Sequence, residues 1–170
     1  SNEARAKFIF LAMDNYDLQK EYVEKAIKWY ERAGKTGDAV AVAAKAQNKE
    51  KIVEIYKRAA QFEAAADAAK DAGLKAKADA LYKKALESYE EEKSFETAAA
   101  LAARLNQQEK AKDFYRKAVE DYLGRGLHER AAEFAEKKGM IEYAWLLYEK
   151  AFGNKKEGTY EWINTNLKTD

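Results

Sequence analysis

The histidine and the acidic residues are the side chains of this chain best suited to chemistry, and their arrangement argues against catalysis. His128 is the single histidine among 170 residues, and there is no cysteine. His128-Glu129 begins like the zinc-binding sequence H-E-x-x-H but lacks its second histidine. Gly124-x-Gly126 lacks the preceding strand of a nucleotide-binding glycine turn. We therefore predict a protein that is not an enzyme and that has neither a cofactor nor a metal site.

Acidic residues that recur at a fixed interval are the better candidates for function. Glu63, Glu96 and Glu129 follow one another with a 33-residue period. The candidate binding residues, six acidic and three basic, are Glu63, Asp67, Lys70, Glu96, Arg104, Glu129, Glu133, Glu136 and Lys137. An acidic row beside a basic edge could select a basic or amphipathic helical segment of a partner protein. The alternative is that the three recurring glutamates only stabilise the first turns of helices through the helix dipole.

An internal repeat carries these acids. The pattern Tyr-x-x-Ala begins at Tyr30, Tyr56, Tyr82, Tyr115 and Tyr148, so two 26-residue intervals are followed by two 33-residue intervals. In four copies an alanine stands four residues before the tyrosine, and Ile52 takes that place in the other. Offsets of three and four residues put these side chains on one helical face. The missing seven residues amount to about two helical turns, which predicts a shortened second helix in the 26-residue units.

A second pattern precedes three of those tyrosines. Phe62, Phe95 and His128 each begin a ring-x-x-Ala-Ala-x-x-Ala sequence, and these copies also follow the 33-residue period. The same period places Gly73, Asn106 and Gly139 where these helices should end, and Gly and Asn tolerate the left-handed conformation that closes a helix. Because His128 takes the place of a phenylalanine, we predict that its ring packs rather than reacts.

Good helix formers dominate the chain and proline is absent, which predicts an all-α protein. We expect eleven helices, near 3–14, 17–33, 37–46, 49–60, 62–72, 75–91, 94–105, 107–123, 127–138, 140–152 and 158–168. A single domain over 1–170 would comprise an N-terminal hairpin (3–33), repeat units at 34–60, 61–91, 92–123 and 125–152, and a capping helix (158–168). Residues 1–2 are interpreted as the remnant of an expression tag.

The repeat resembles the tetratricopeptide repeat, a unit of about 34 residues with W-x2-L-G-x2-Y in one helix and A-x3-F in the next. The Trp position is held by Phe62, Phe95 and His128, the Gly position by Ala66, Ala99 and Ala132, the second-helix Ala by Ala78, Ala111 and Ala144, and the Phe by Tyr82, Tyr115 and Tyr148. The resemblance implies a right-handed α-α superhelix of about five antiparallel hairpins plus a C-terminal capping helix, with first helices lining a concave groove.

The chain departs from that family in several positions. Alanines such as Ala65 and Ala69 replace the Leu and Tyr of the first helix, and the closing proline is missing. The alanine-rich sequence of this chain between Tyr56 and Ala60 is also similar to helical solenoids of vesicle-trafficking adaptors and coat proteins. In chaperone-type members lysine and asparagine in the groove bind a carboxylate; the glutamate row here would repel that ligand.

Net charge and hydropathy further restrict the classes of partner that the protein could bind. Thirty-one Lys and Arg against thirty Asp and Glu leave a net charge of +1, which disfavours nucleic acid and anionic membranes. No apolar run reaches the roughly 20 residues that cross a bilayer, and no secretory signal is evident. We predict a cytoplasmic scaffold that binds a protein or peptide. The alternative is a structural, self-assembling segment of a larger solenoid, or a homodimer formed through the apolar stretch Phe8 to Leu11.

Overall fold

The computed structural model describes residues 4–8 and 20–152, and within these ranges every regular element is an α-helix. Residues 4–8 are helical. The helices that follow are α1 (Lys20–Arg32), α2 (Thr36–Lys45), α3 (Lys49–Arg58), α4 (Phe62–Asp71), α5 (Lys75–Glu91), α6 (Phe95–Arg104), α7 (Gln108–Gly124), α8 (His128–Lys137) and α9 (Ile141–Phe152). These helices pack in consecutive pairs. None of the described helices is long and apolar enough to cross a membrane.

Helix lengths confirm the shortened second helix. α3, in the 26-residue unit, has 10 residues, whereas α5 and α7 have 17 each, a difference of seven. The described helix ends lie close to the predicted ones. The predicted capping helix at 158–168 falls outside the described residues, as does most of the predicted helix at 3–14.

One kind of turn joins the helices. Gly73, with φ of 77°, lies in the left-handed region; its N–H donates to the Lys70 carbonyl at 2.9 Å, and the Leu74 N–H donates to the Ala69 carbonyl at 2.8 Å. These two bonds form a Schellman motif. The Leu74 carbonyl then accepts the first bond of the next helix, from Ala78 N–H at 2.9 Å. The last residue of one turn is therefore the N-cap of the following helix.

The turns recur at regular intervals along the described chain. Left-handed residues lie at Gly34, Gln47, Ala60, Gly73, Lys93, Asn106, Gly126 and Gly139. Successive turns are separated either by a 13-residue step or by a 20-residue step, and the longer step spans α5 and α7. The left-handed conformation predicted at Gly73, Asn106 and Gly139 is confirmed. The 33-residue period is thus one short step plus one long step, and the 26-residue period is two short steps.

The chain divides into two compact units, Ser1–Glu87 and Ser88–Asp170, called unit 1 and unit 2. The first core cluster of unit 1 consists of Ala6, Val23, Ala26, Ile27, Tyr30, Ala39, Val42, Ala43 and Ile55. The core of unit 2 is built from Ala118, Val119, Ala131, Ala132, Phe134, Ala135, Ala144 and Leu147. Small residues on the first helices alternate with larger ones on the second, so alanine lets the helices approach closely.

The repeat alanines and tyrosines are buried to different degrees. Tyr30 and Tyr82 are buried, whereas Tyr56, Tyr115 and Tyr148 are half-buried. Of the alanines three residues after each tyrosine, Ala85 and Ala118 are buried within long helices, but Ala33 is exposed. The predicted placement of Ala33 on one helical face with Ala26 and Tyr30 is wrong because α1 ends at Arg32, so Ala33 belongs to the turn.

Candidate partner-binding surface

In unit 2, helix α8 presents three of the predicted acids along one face. Glu129, Glu133 and Glu136 follow one another by four and three residues, a spacing that aligns side chains on a helix. Glu129 and Glu133 are exposed, and Glu136 is half-buried. Glu136 Oε2 accepts a hydrogen bond of 2.9 Å from the hydroxyl of Tyr148 on α9. We call these four residues the α8 acidic patch.

The charge of this patch is reflected in the ionisation of its tyrosine. Burial, the hydrogen bond to Glu136, and the negative charges of Glu136, Glu133 and Glu129 raise the pKa of Tyr148 to about 12. Burial is the largest of these causes, and the three carboxylates add to it. Three carboxylates on one face of a helix favour a positive charge nearby, such as the ammonium or guanidinium group of a partner.

Glu96 is also held by a tyrosine of unit 2. The hydroxyl of Tyr122, near the end of α7, donates to Glu96 Oε1 in the first turn of α6. This bond, with burial and the charge of Glu96 adding to it, raises the pKa of Tyr122. Both residues line an open surface cavity of about 330 Å³, together with Lys93, Ser94, Phe95, Thr97, Ala118, Asp121 and Arg125. Opposite charges share this cavity, so its net charge selects no ion.

In unit 1 the predicted acids are less accessible. Glu63 and Asp67 are both half-buried, and Asp67 Oδ1 accepts a hydrogen bond from the hydroxyl of Tyr82 on α5. Tyr82 and Tyr148 stand at the same place in the repeat. Tyrosines at this position therefore reach back to a carboxylate on the first helix of their own hairpin.

Tyr115 is the exception at that position. The residues of α6 that correspond to Asp67 and Glu136 are Ala100 and Ala103, which offer no side-chain acceptor. The Tyr115 ring instead lies edge-on to Phe134, with 6.0 Å between the ring centroids, and Lys138 Nζ lies 4.9 Å from its centroid. The repeat therefore fixes where the ring lies, and the neighbouring residue type decides what its hydroxyl can bind.

Helix ends account for the positions of the predicted charges. Glu63, Glu96 and Glu129 lie in the first turns of α4, α6 and α8. The three predicted basic residues, Lys70, Arg104 and Lys137, are exposed in the last turns of the same helices. These placements agree with helix-dipole stabilisation as well as with binding. The partner-binding role of the nine residues stays a prediction.

His128 begins α8, where its ring is half-buried. Its Nδ1 atom is buried and has no hydrogen-bond partner in the described part of the chain. A ring nitrogen enclosed in this way is placed for packing rather than for proton transfer to a substrate, which supports the interpretation drawn from the repeat. Among the described residues, no cluster of His, Asp or Glu side chains could hold a metal ion.

Ion pairs between second helices are a feature that the sequence reasoning missed. In unit 1, Lys51 Nζ lies 2.6 Å from Glu24 Oε1, Arg58 Nη2 lies 2.7 Å from Glu31 Oε1, and Lys77 Nζ lies 2.7 Å from Glu54 Oε1. In unit 2, Lys117 pairs with Glu90. Three of these pairs join residues 27 apart and one joins residues 23 apart, close to one 26-residue period. Opposite charges at about one repeat length were the signal available in the sequence.

The chain matches no protein-family model, and no curated protein sequence matches it. Its helices and side-chain geometry are therefore the basis for a functional proposal.

Proposed function

We propose that this protein is a non-enzymatic interaction scaffold whose α8 acidic patch binds a basic, amphipathic segment of a partner protein. The observation that carries the proposal is the alignment of Glu129, Glu133 and Glu136 along one face of α8, with Glu136 bonded to the hydroxyl of Tyr148. Two of the carboxylates remain exposed, so they can meet an incoming cation without unfolding any helix. A partner with cations spaced along one face of a helix would match this arrangement.

We further propose that the helices form a tetratricopeptide-like right-handed superhelix. Support comes from the regular turn interval, from alanines buried at equal positions in successive first helices, and from the ion pairs between successive second helices. In such a stack the first helices line one surface and the second helices the other. The remaining candidates Glu63, Asp67, Lys70, Glu96, Arg104 and Lys137 would then extend the binding surface on the first-helix side.

The test compares two synthetic helical peptides of equal length, one lysine-rich and one glutamate-rich, by fluorescence anisotropy. We expect saturable binding of the basic peptide alone, weakened by added salt because exposed charges are screened. Glu129→Gln with Glu133→Gln should weaken binding by about fivefold to tenfold, since each exposed ion pair contributes up to about 1 kcal/mol.

A matched control removes two other acids of unit 2. Glu109 and Asp113 are exposed on α7, where they pair with Lys112 and Arg116. Glu109→Gln with Asp113→Asn changes the net charge equally and should leave binding unaltered. Equal binding of both peptides, or equal losses in both double variants, would refute a specific role for the α8 acidic patch.

Self-assembly is the second candidate function, and one observation favours it. Phe8 is 75% exposed, so its ring is available for an apolar contact with a second copy. The other residues of the predicted dimerisation stretch, 9–11, lie outside the described residues. Light scattering of the wild type and of Phe8→Asp separates the two functions. A dimer that dissociates in the variant, without loss of peptide binding, would assign Phe8 to self-association.

A further inference from the structure

The ion pairs between second helices have a fixed direction. In all four pairs described above, the acid belongs to the earlier helix and the cation to the later one. On α3 the two cations, Lys51 and Arg58, stand seven residues apart, as do their acceptors on α1. Seven residues are about two helical turns, so each pair of charges lies along one side of its helix. A second helix thus presents acids to the helix that follows it.

Helix α9 has acids at the same positions as α1. On α1 the acids stand six residues before and one residue after the repeat tyrosine, as Glu24 and Glu31 around Tyr30. On α9 the same offsets from Tyr148 give Glu142 and Glu149. The charges that hold α3 against α1 are therefore repeated on the last described helix.

An apolar residue lies between the two α9 acids. Leu146 stands two residues before Tyr148, the offset at which α3 carries Glu54, the partner of Lys77. Glu142, Leu146 and Glu149 follow one another by four and three residues and share a helical face. We call them the α9 stripe.

The stripe is accessible. Leu146 is 54% exposed, and Glu142 and Glu149 are exposed as well. Under helix α3, by comparison, the side chains of Glu24 and Glu31 keep 32% and 23% exposure. The α9 stripe therefore has the residues of a helix-docking face without a described helix over it.

We propose that the α9 stripe docks an amphipathic helix of a partner protein, one that carries two Lys or Arg residues seven positions apart with an apolar residue between them. Charge complementarity selects this occupant, because the corresponding acids of α1 bind that arrangement of cations on α3. This surface is separate from the α8 acidic patch.

A second copy of the chain fits this requirement less well. Three of its helices with basic residues seven apart, α3, α5 and α7, already direct cations at a preceding helix, through Lys51, Arg58, Lys77 and Lys117. In the other two, α1 with Lys25 and Arg32 and α8 with Arg130 and Lys137, the apolar residue between the cations, Trp29 or Phe134, packs in a core. A docking copy would have to break those ion pairs or those core contacts. Residues 153–170 contain Lys155, Lys156 and Lys168, none of them seven residues from another basic residue. A partner of different sequence meets the requirement at no such cost.

The experiment uses the full chain and a fluorescent, hydrocarbon-stapled helix with the sequence of residues 47–60, which carries Lys51 and Arg58. We expect saturable binding. Glu142→Lys with Glu149→Lys should weaken it at least about tenfold, as should reversal of both peptide cations to glutamate. The reversed protein should bind the reversed peptide again. That rescue would not follow if the substitutions acted only by disturbing the fold.

Controls distinguish this surface from the one proposed above. Glu129→Lys with Glu133→Lys changes the net charge equally and should weaken binding of the stapled helix less than Glu142→Lys with Glu149→Lys does; an equal or larger loss in this variant would move the binding to the α8 acidic patch and overturn the inference. Absence of saturable binding to a peptide shown to be helical by circular dichroism would overturn it too. A wild-type dimer that Leu146→Asp dissociates would also overturn it, because the stripe would then bind a second copy. So would a rise in peptide affinity in Trp162→Ala, a substitution in the predicted capping helix at 158–168, because the stripe would then bind the chain's own C-terminal residues.

Discussion

Alanine at position 60 is expected to make the protein less stable than glycine would, because the backbone there has the left-handed conformation of a helix-closing glycine. The φ of Ala60 is 57°, and its N–H donates to the Lys57 carbonyl at 3.2 Å, as the glycine of a Schellman motif does. One turn later in unit 1, Gly73 makes the same bond with φ of 77°. Ala60 and Gly73 therefore share the backbone conformation and the hydrogen bond, and differ in the presence of a Cβ atom.

The magnitude follows from two opposing effects. A residue with a Cβ atom in the left-handed region costs about 1–2 kcal/mol relative to glycine. Glycine lowers stability through the entropy of the unfolded chain by about 0.4–1 kcal/mol. Ala60→Gly should therefore increase the free energy of unfolding by about 0.5–1 kcal/mol. Gly73→Ala should decrease it by a similar amount, since a Cβ atom at Gly73 would have no atom within 4 Å and adds no steric clash.

Urea-induced unfolding monitored by circular dichroism measures both changes, with the urea dependence of the free energy held common to all variants. Ala80→Gly is the control. Ala80 is exposed within α5, where glycine costs about 0.5–1 kcal/mol in a helix interior. The same substitution is thus expected to have opposite signs at Ala60 and Ala80. A destabilising Ala60→Gly, or a neutral Gly73→Ala, would refute the assignment of these residues to equivalent left-handed turns.

Two further predictions concern packing and ionisation. Ala99 is fully buried on α6, so Ala99→Leu should overpack its helix crossing and lower the free energy of unfolding by about 1–3 kcal/mol; an unchanged melting temperature would contradict the crossing. Tyr148 has a pKa of about 12 in the folded chain against 10.0 for an unperturbed tyrosine, so its stabilising contribution is complete below pH 10 and is lost as the pH rises toward 12. Ultraviolet absorbance titration should show one fewer late-ionising tyrosine in Tyr148→Phe than in the wild type, and a difference curve that follows an unperturbed tyrosine would refute the raised pKa of Tyr148.

Helix positions could be predicted from the sequence because the signals are local. Helix-forming residues, alanine at offsets of three and four, and Gly or Asn at the ends act within one or two turns of chain. The helix boundaries near Ala60 and Lys93 were predicted, but the left-handed conformation of these two residues was not, since neither residue type favours positive φ. The regular short or long step that separates them from the neighbouring turns is the signal that identifies them.

The candidate site could be predicted only in part. The repeat placed Glu63, Glu96 and Glu129 in the first turns of helices, where the structure has them. It could not assign their hydrogen-bond partners, because those depend on the residues of a neighbouring helix. Tyr122, which binds Glu96, lies outside the recurring pattern.

Recurring turn intervals of 13 or 20 residues explain why offsets from the repeat tyrosine carry information about neighbours. In unit 1, the acids six residues before and one residue after Tyr30 contact cations five residues before and two residues after Tyr56. Offset alone does not guarantee an ion pair. The positions on α5 that correspond to Glu24 and Glu31 hold Ala76 and Lys83, which are not acids. The acid of α5 that pairs with the next second helix is Glu90, seven residues beyond Lys83 on the same face. The direction of the contact persists while its position moves by two helical turns. The phase of the backbone thus sets which face meets the next helix, and the residue types on that face decide where the charges bind.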